Sequence, residues 1–109
     1  HRPAASGSGL TLSQKRGERL VVRPGIVSGE GCDISGLHDC EVLFLDWSSQ
    51  VTIDDCHNCR LILGPVDGSV MVRGCSKLDV SAVCRQFRCR ECENCIARLF
   101  TPAAVIESS

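Results

Sequence analysis

Apolar residues recur along this chain at a fixed set of positions. The repeats start at Cys32, Val51, Val70 and Phe87. In each repeat the residues at offsets 0, +2, +5, +8, +10 and +12 from the start are apolar or cysteine, and the residues between them are mostly polar. The starting residues follow one another at steps of 19, 19 and 17 residues, which is too short for helical repeats and suits one turn of a β-solenoid. The inward positions predicted in this way are Cys32, Ile34, Leu37, Cys40, Val42 and Phe44; Val51, Ile53, Cys56, Cys59, Leu61 and Leu63; Val70, Val72, Cys75, Leu78, Val80 and Ala82; and Phe87, Cys89, Cys92, Cys95, Ala97 and Leu99.

The pattern inside each repeat predicts short strands. Offsets 0 to +2 and +8 to +12 alternate between apolar and polar residues, as a strand with one buried face does, and polar pairs at +3 and +4 permit a corner. Each repeat can then pair with the repeats above and below it. We predict an all-β fold, a short parallel β-helix of about five coils of 17–19 residues. The alternative is an antiparallel sandwich of hairpins, for which Asp67-Gly68 is the single strong turn signal.

The same pattern divides the chain. Residues 1–18 are rich in glycine, serine and charge, and we expect them to form a flexible leader. Residues 19–109 form the β-helix domain, whose partial last coil starts near Ala104, so we expect the carboxy-terminal end of the solenoid to be truncated. Because the chain begins without methionine and has neither a signal-peptide core nor an apolar run of membrane-spanning length, we expect a segment of a soluble protein. Any lipid anchor would lie outside this chain.

The overall charge restricts the classes of partner. The formal net charge is −1 over 109 residues, so the chain lacks the general positive field that attracts nucleic acid or anionic membranes. We therefore expect no nucleic-acid partner and only local charge-based recognition. The basic residues are densest at Arg85, Arg88 and Arg90.

Nine cysteines in so short a chain suggest a disulfide scaffold or a zinc site. The pairs Cys56/Cys59 and Cys92/Cys95 resemble zinc knuckles, but 32 residues separate them, more than the roughly 15–20 that are usual in a zinc ribbon. Eight of the nine cysteines lie at inward offsets, where other coils carry Val, Ile or Leu. This favours reduced thiols that pack as small apolar side chains, and hence a reducing, cytoplasmic setting.

The outward positions place several polar residues on one face. Offset +1 carries Arg88 between Met71 on one coil and Val105 on the next, so Arg88 has no acidic neighbour in its column. Gln86 lies on the same face. An arginine without an internal acid is available to meet an anion of a partner. An ordinary solvated face is the alternative interpretation.

Offset +3 is the next outward column on that face. It places Arg90 between Arg73 on one coil and Glu107 on the next. We expect a charge-assisted hydrogen bond between Arg90 and Glu107, which would hold the strand that also carries Arg88.

The sequence contains no pattern of a self-contained active site. It lacks a P-loop, a Ser/His/Asp set and paired carboxylates. His38 and His57 share offset +6 on adjacent coils, which would suit a stacked metal pair or an ordinary corner, and no third ligand joins them. We predict no metal.

Five segments carry a resemblance to a known family. They are VTIDDCHNC (51–59), LGPVDGSV (63–70), RGC (73–75), QFR (86–88) and VIESS (105–109). In order and spacing they closely resemble the tubulin-binding cofactor C homology domain, most strongly the branch of the X-linked retinitis pigmentosa 2 protein. The resemblance covers roughly residues 20–109.

The resemblance implies a right-handed parallel β-helix and a GTPase-activating role. In that branch an arginine finger is supplied in trans to an Arf-like small GTPase, whereas in the cofactor C branch it is supplied to tubulin during tubulin folding. GTP and magnesium are bound by the partner, so we expect no cofactor of the domain's own. Kinship also implies a cytoplasmic protein that is located at the cilium or basal body or is associated with a membrane. A non-catalytic scaffold that binds a GTPase or the cytoskeleton is the alternative function.

The family motif Gln-Gln-aromatic-or-Leu-Arg carries over to this sequence residue by residue. It implies that Arg88 is the finger and that the GTPase interface includes Arg85, Gln86, Phe87, Arg90 and Glu107. The motif's first Gln is replaced by Arg85. We expect this replacement to add charge at the rim of the interface, and either to alter the choice of GTPase or to weaken the polar contacts around the finger.

Overall fold

The computed structural model describes residues 8–107, which form strands and turns without a helix. No helix in that range is therefore available to cross a membrane. The all-β prediction is confirmed. The strands are β1 (Ser8–Arg16), β2 (Arg19–Val22), β3 (Gly31–His38), β4 (Glu41–Phe44), β5 (Gln50–Asp54), β6 (His57–Ile62), β7 (Ser69–Arg73), β8 (Ser76–Val83), β9 (Gln86–Arg90), β10 (Ile96–Phe100) and β11 (Ala103–Glu107).

The strands form two parallel stacks. The front face runs β1-β3-β5-β7-β9-β11 and the back face runs β2-β4-β6-β8-β10. Every pairing between these strands is parallel, and together they make a β-solenoid of about five turns. The antiparallel sandwich is excluded. The register is the predicted one, because Cys32, Val51, Val70 and Phe87 lie one above another.

The predicted inward positions form the core. All six such positions in each of the first three coils are buried. In the fourth coil Phe87 is 2% exposed, whereas the three cysteines and Leu99 are half-buried and Ala97 is exposed. The difference arises because, within residues 8–107, no strand stacks on the outer side of β10.

Two corners turn the chain between the front and back faces. In each coil the residues four and seven places after the first inward position adopt the left-handed region, where a Cβ is normally unfavourable. Their φ values lie between 51° and 67°. The corner predicted at +4 is confirmed, and the second corner lies at +7, next to the corner position suggested for His38 and His57 at +6. These residues are Gly36, Asp39, Asp55, Asn58, Gly74, Lys77, Glu91 and Asn94.

The prediction of a flexible leader over residues 1–18 is wrong for residues 8–16. They form β1, which pairs in parallel with β3. Leu10 and Leu12 lie beside Cys32 and Ile34 and pack against the core. Their apolar-polar alternation adds one more rung and covers side chains that would otherwise face water. Residues 1–7 of the expected leader lie outside the described residues.

The expectation that Phe87 contacts a partner is also wrong. The ring occupies the first inward position of β9 and is 2% exposed. It packs in the core, whereas its neighbours in sequence, Gln86 and Arg88, are both exposed. Phe87 therefore anchors β9 and has no free surface to offer.

The third side of the solenoid consists of loops, and Asp46 organises the longest of them. Its Oδ2 accepts hydrogen bonds from the backbone N–H groups of Ser28 (2.7 Å), Val27 (2.8 Å) and Gly25 (3.1 Å). Asp46 is itself buried, at 9% exposure. The bond from Ser28 is the largest cause that lowers the pKa of the Asp46 carboxyl, and burial opposes it. The carboxylate thus holds the loop that follows β2.

We predict that Asp46→Asn lowers stability at neutral pH. A carboxyl whose pKa is lower in the folded than in the unfolded state, where it is about 4, stabilises the fold above that pH. This contribution disappears as the pH falls through the folded-state pKa. The urea midpoint of Asp46→Asn, followed by circular dichroism, should be below wild type at pH 7 and approach it below about pH 4. Asp33→Asn, at an exposed position of β3, is the control, and an equal pH profile for the two variants contradicts the assignment.

We predict that Phe87→Ala lowers the free energy of unfolding by about 3–5 kcal/mol, the usual range for removing a buried aromatic ring. Phe100→Ala is the matched control, because Phe100 is 79% exposed, and its effect should stay within about 0.5 kcal/mol. Urea unfolding measures both. Equal effects of the two substitutions would contradict the burial of Phe87.

Candidate functional site

Arg88 projects from the middle of β9, the last strand but one of the front face as the structure describes it. Its column neighbours are Met71 on β7 and Val105 on β11, as predicted. The Arg88 side chain is exposed, and within residues 8–107 it makes no hydrogen bond or ion pair. The planar fork of N–H donors of its guanidinium is therefore available for an external anion.

The adjacent outward column is ion-paired. Nε of Arg90 lies 3.4 Å from Oε1 of Glu107, and Nε of Arg73 lies 2.8 Å from Oδ1 of Asp54. The hydrogen bond and the charge of Asp54 raise the pKa of Arg73. Arg90 lies between Arg73 and Glu107 in the register, so the predicted placement is confirmed, and its contact with Glu107 is an ion pair rather than the expected hydrogen bond. Each of these two arginines has an acid of its own, in contrast to Arg88.

Strand β9 holds Arg88 on a rigid base. It is paired along its whole length with β7 on one side and β11 on the other. Phe87 and Cys89, which flank Arg88, both point inward and pack in or against the core. The backbone position of Arg88 is thus determined by packing and by two ladders of hydrogen bonds.

Arg85 is exposed, but its side chain has an acidic partner within the domain. Its Nη2 lies 2.9 Å from Oδ1 of Asp67, and its Nε–H is directed at both Oδ1 (3.1 Å) and the backbone carbonyl oxygen (2.8 Å) of the same residue. The added positive charge is therefore partly neutralised within the domain. Sequence reasoning missed Asp67, although its position 18 residues before Arg85, about one coil, is a signal that could have found it.

Gln86 lies next to Arg85 on the same edge of the front face. It is exposed, its column neighbours are Ser69 and Ala103, and its backbone N–H donates to the carbonyl oxygen of Gly68 at 3.3 Å. Gln86, Arg88 and Arg90 are therefore successive outward residues of one strand. The structure brings together the front-face residues that the sequence pointed to, apart from Phe87.

An apolar groove on the third side was not predicted. It has a volume of about 900 Å³ and runs beside Arg85 and Asp67. Its largest side chains are well exposed, with Phe100 at 79%, Val83 at 52% and Trp47 at 49%. Exposed apolar surface of this kind is typical of contact surfaces. The signal in the sequence was an apolar residue at outward offset +13 in two successive coils, Val83 and Phe100.

The two histidines form a corner stack. The rings of His38 and His57 are 5.2 Å apart between centroids and inclined by 29°. His57 is hydrogen-bonded through Nδ1 to Ser76 and through Nε2 to Asp55, each at 2.7 Å. Residues 8–107 contain no group of three or more His, Cys, Asp or Glu side chains arranged to hold a metal. That the protein binds no metal stays a prediction.

The cysteines are free thiols and most are buried. Six of them are buried and three, in the last full coil, are half-buried. Burial, with a smaller effect of the Asp33 charge, raises the pKa of Cys32 to about 12, so this thiol stays protonated at neutral pH. The interpretation of these residues as small apolar core side chains agrees with their burial. Cys84, the one cysteine outside the inward offsets, is buried as well.

Comparison with known proteins agrees with this architecture. A family model described as tubulin binding cofactor C matches residues 29–109. The protein named TBCC domain-containing protein 1 is similar to the chain in cattle (32% identity over 93 residues, 85% of the chain and 17% of the relative) and in Homo sapiens (26% over 93 residues, again 85% and 17%). The same protein of Xenopus tropicalis is 31% identical over 64 residues, 59% of the chain and 12% of the relative.

The chain thus spans less than a fifth of the length of these relatives. Their name differs from that of the branch expected from the sequence, and the branch stays a prediction. The family model, in contrast, matches well over half of the chain, and its match includes β3 to β11 with Arg88. The chain therefore belongs to the tubulin binding cofactor C family.

Proposed function

We propose that this domain stimulates GTP hydrolysis by an Arf-like small GTPase and supplies Arg88 in trans as an arginine finger. The observation that carries the proposal is the contrast on β9 and its neighbours, where Arg73 and Arg90 are ion-paired and Arg88 is not. Family membership supports a role connected with tubulin or with a GTPase. The domain itself offers a cation on a rigid strand, which is the part that a finger contributes.

The chemistry follows from the charge of phosphoryl transfer. The transition state spreads negative charge over the γ-phosphoryl oxygens, and GTP, magnesium and the attacking water belong to the partner. A guanidinium that enters the partner's site can donate two parallel hydrogen bonds to these oxygens. Such a finger is worth about 10³–10⁵ in rate. No nucleophile or general base of this chain is required.

The neighbouring residues would hold and orient the finger. Gln86 is exposed two residues before Arg88 and can donate and accept hydrogen bonds at the same interface. The Arg90 to Glu107 pair links β9 to β11 and neutralises the charge next to the finger. Arg88 is then the cation on this strand that is left to the partner.

Tubulin is a second candidate partner for the same finger. The description of the family model, tubulin binding cofactor C, favours it. The chemistry is unchanged, because tubulin also binds GTP, and only the surface around Arg88 would have to fit a different protein. A cytoplasmic location at the cilium or basal body belongs to this proposal as well, since it rests on the kinship alone.

We predict that Arg88→Ala lowers the stimulated rate by about 10³-fold or more and leaves the fold intact. Arg88→Lys should recover little, because an ammonium lacks the planar fork. The measurement is single-turnover GTP hydrolysis by a panel of Arf-like GTPases and by tubulin, each with excess domain. Arg60→Ala, which removes an exposed arginine from the back face, is the control and should behave as wild type.

The outcomes of that experiment separate the functions. Acceleration that depends on Arg88 identifies the partner class, Arf-like GTPase or tubulin. An Arg88→Ala variant as active as wild type would refute the finger. Tight binding without acceleration by wild type would select the scaffold.

We predict a different effect for Glu107→Gln. Loss of the acid leaves Arg90 unpaired beside Arg73, and the like charges loosen the support of β9. Both side chains of the pair are about half exposed, so the ion pair contributes little free energy. We therefore expect binding to weaken by no more than about fivefold. Titration of the GTPase, with Glu41→Gln as the control for an exposed back-face pair with Arg19, measures this. A loss of rate as large as that of Arg88→Ala would mean that Glu107 acts in the reaction itself.

A further inference from the structure

Arg85 and Asp67 are connected by more contacts than an ordinary surface pair. Two of the three guanidinium nitrogens of Arg85 are engaged by Asp67, on its carboxylate and on its backbone carbonyl. The side chains are 73% and 60% exposed. Exposed ion pairs contribute little to the free energy of folding. The more important effect of these contacts is that they fix the position of the backbone at the start of β9.

Backbone contacts join the same two segments. The N–H groups of Arg85 (2.9 Å) and Gln86 (3.3 Å) both donate to the carbonyl oxygen of Gly68, and the hydroxyl of Thr101 donates to the carbonyl oxygen of Arg85 at 3.0 Å. The chain is thus held from two sides at the point where it enters the strand that carries Arg88.

The turn at Asp67 and Gly68 is itself fixed on the preceding coil. The N–H of Asp67 donates to the carbonyl oxygen of Ser48 at 2.8 Å. A Cβ at Gly68 would lie 2.4 Å from the carbonyl oxygen of Ser49, so glycine permits the close approach. Asp67 therefore offers Arg85 an acceptor whose position is determined by the solenoid.

We propose that Asp67 and Arg85 form a positioning pair that fixes the start of β9 and so aims Arg88 at the partner's nucleotide. This inference rests on the proposed function. It assigns Arg85 an internal partner, so that recognition of the GTPase falls to Gln86 and Arg88. It also adds Asp67, which touches neither partner nor nucleotide, to the residues that determine the stimulated rate.

The test is a double-mutant cycle with Asp67→Asn, Arg85→Gln and the double variant. In single-turnover hydrolysis with saturating domain, each single change should lower the stimulated rate by about tenfold, since a misplacement of ~1 Å can cost up to ~10²-fold. The double variant should lose no more than either single, because the two residues act as a unit. Asp79→Asn, which breaks the Asp79 to Arg98 pair on the back face, is the matched control and should leave the rate unchanged.

The two single variants distinguish positioning from direct contact. If Arg85 bound the partner, Arg85→Gln would weaken affinity, and Asp67→Asn would release the guanidinium and strengthen it. That opposite pattern overturns the proposal. A parallel fall in maximal rate with nearly unchanged affinity supports it.

Amide hydrogen exchange provides a readout that needs no GTPase. The Gln86 amide should exchange about threefold to fivefold faster in both single variants, the factor expected for an exposed pair, while the amide of Leu61 stays as in wild type. Unchanged exchange at Gln86 overturns the positioning pair. A third outcome is faster exchange at Gln86 in the variants together with no acceleration of any GTPase by the wild-type domain. It would refute the proposed function and support the structural role of the pair.

Discussion

Register between successive coils is the constraint on which the rest of this structure depends. Parallel hydrogen bonding places Leu10, Cys32, Val51, Val70 and Phe87 in one inward column. Because side chains alternate along a strand, a slip of one residue would turn each apolar set outward and bring polar residues into the core. Burial of the inward columns therefore specifies the register, and through it the neighbours of every outward residue.

The same register creates the electrostatic pattern of the front face. Residues that are one coil apart become direct neighbours, so Asp54 meets Arg73 and Arg90 meets Glu107. Arg88 is one column away and lies between Met71 and Val105, which offer no acid. Arg88 is thus available to a partner because the residues above and below it in its column are apolar. Rigid packing beneath the strand means that little order has to be gained when a partner binds.

The third side follows different rules from the two stacked faces. Its loops differ in length from coil to coil and cannot pair in a regular ladder. Hydrogen bonds to individual side chains hold these loops in place instead. Asp46 binds three backbone N–H groups of one loop, and Asp67 binds Arg85 at the entry to β9. The exposed groove with Trp47, Val83 and Phe100 lies on this side as well. Local irregularity and candidate contact surface therefore coincide.

Sequence alone determined the period, the inward columns, the first corner and the neighbours of Arg88 and Arg90, because all of these depend on a repeat that can be counted along the chain. It also placed Phe87 at an inward offset, although the family motif made it an interface residue, and the burial of the ring decided between the two. Tertiary structure alone revealed β1, whose Leu10 and Leu12 lie 22 residues before their partners on β3, a step outside the period. It likewise revealed that the Asp46 carboxylate accepts hydrogen bonds from backbone N–H groups of a loop, and it revealed the full set of contacts between Asp67 and Arg85. These contacts join loops of unequal length, and no periodic pattern specifies which atoms of such loops meet.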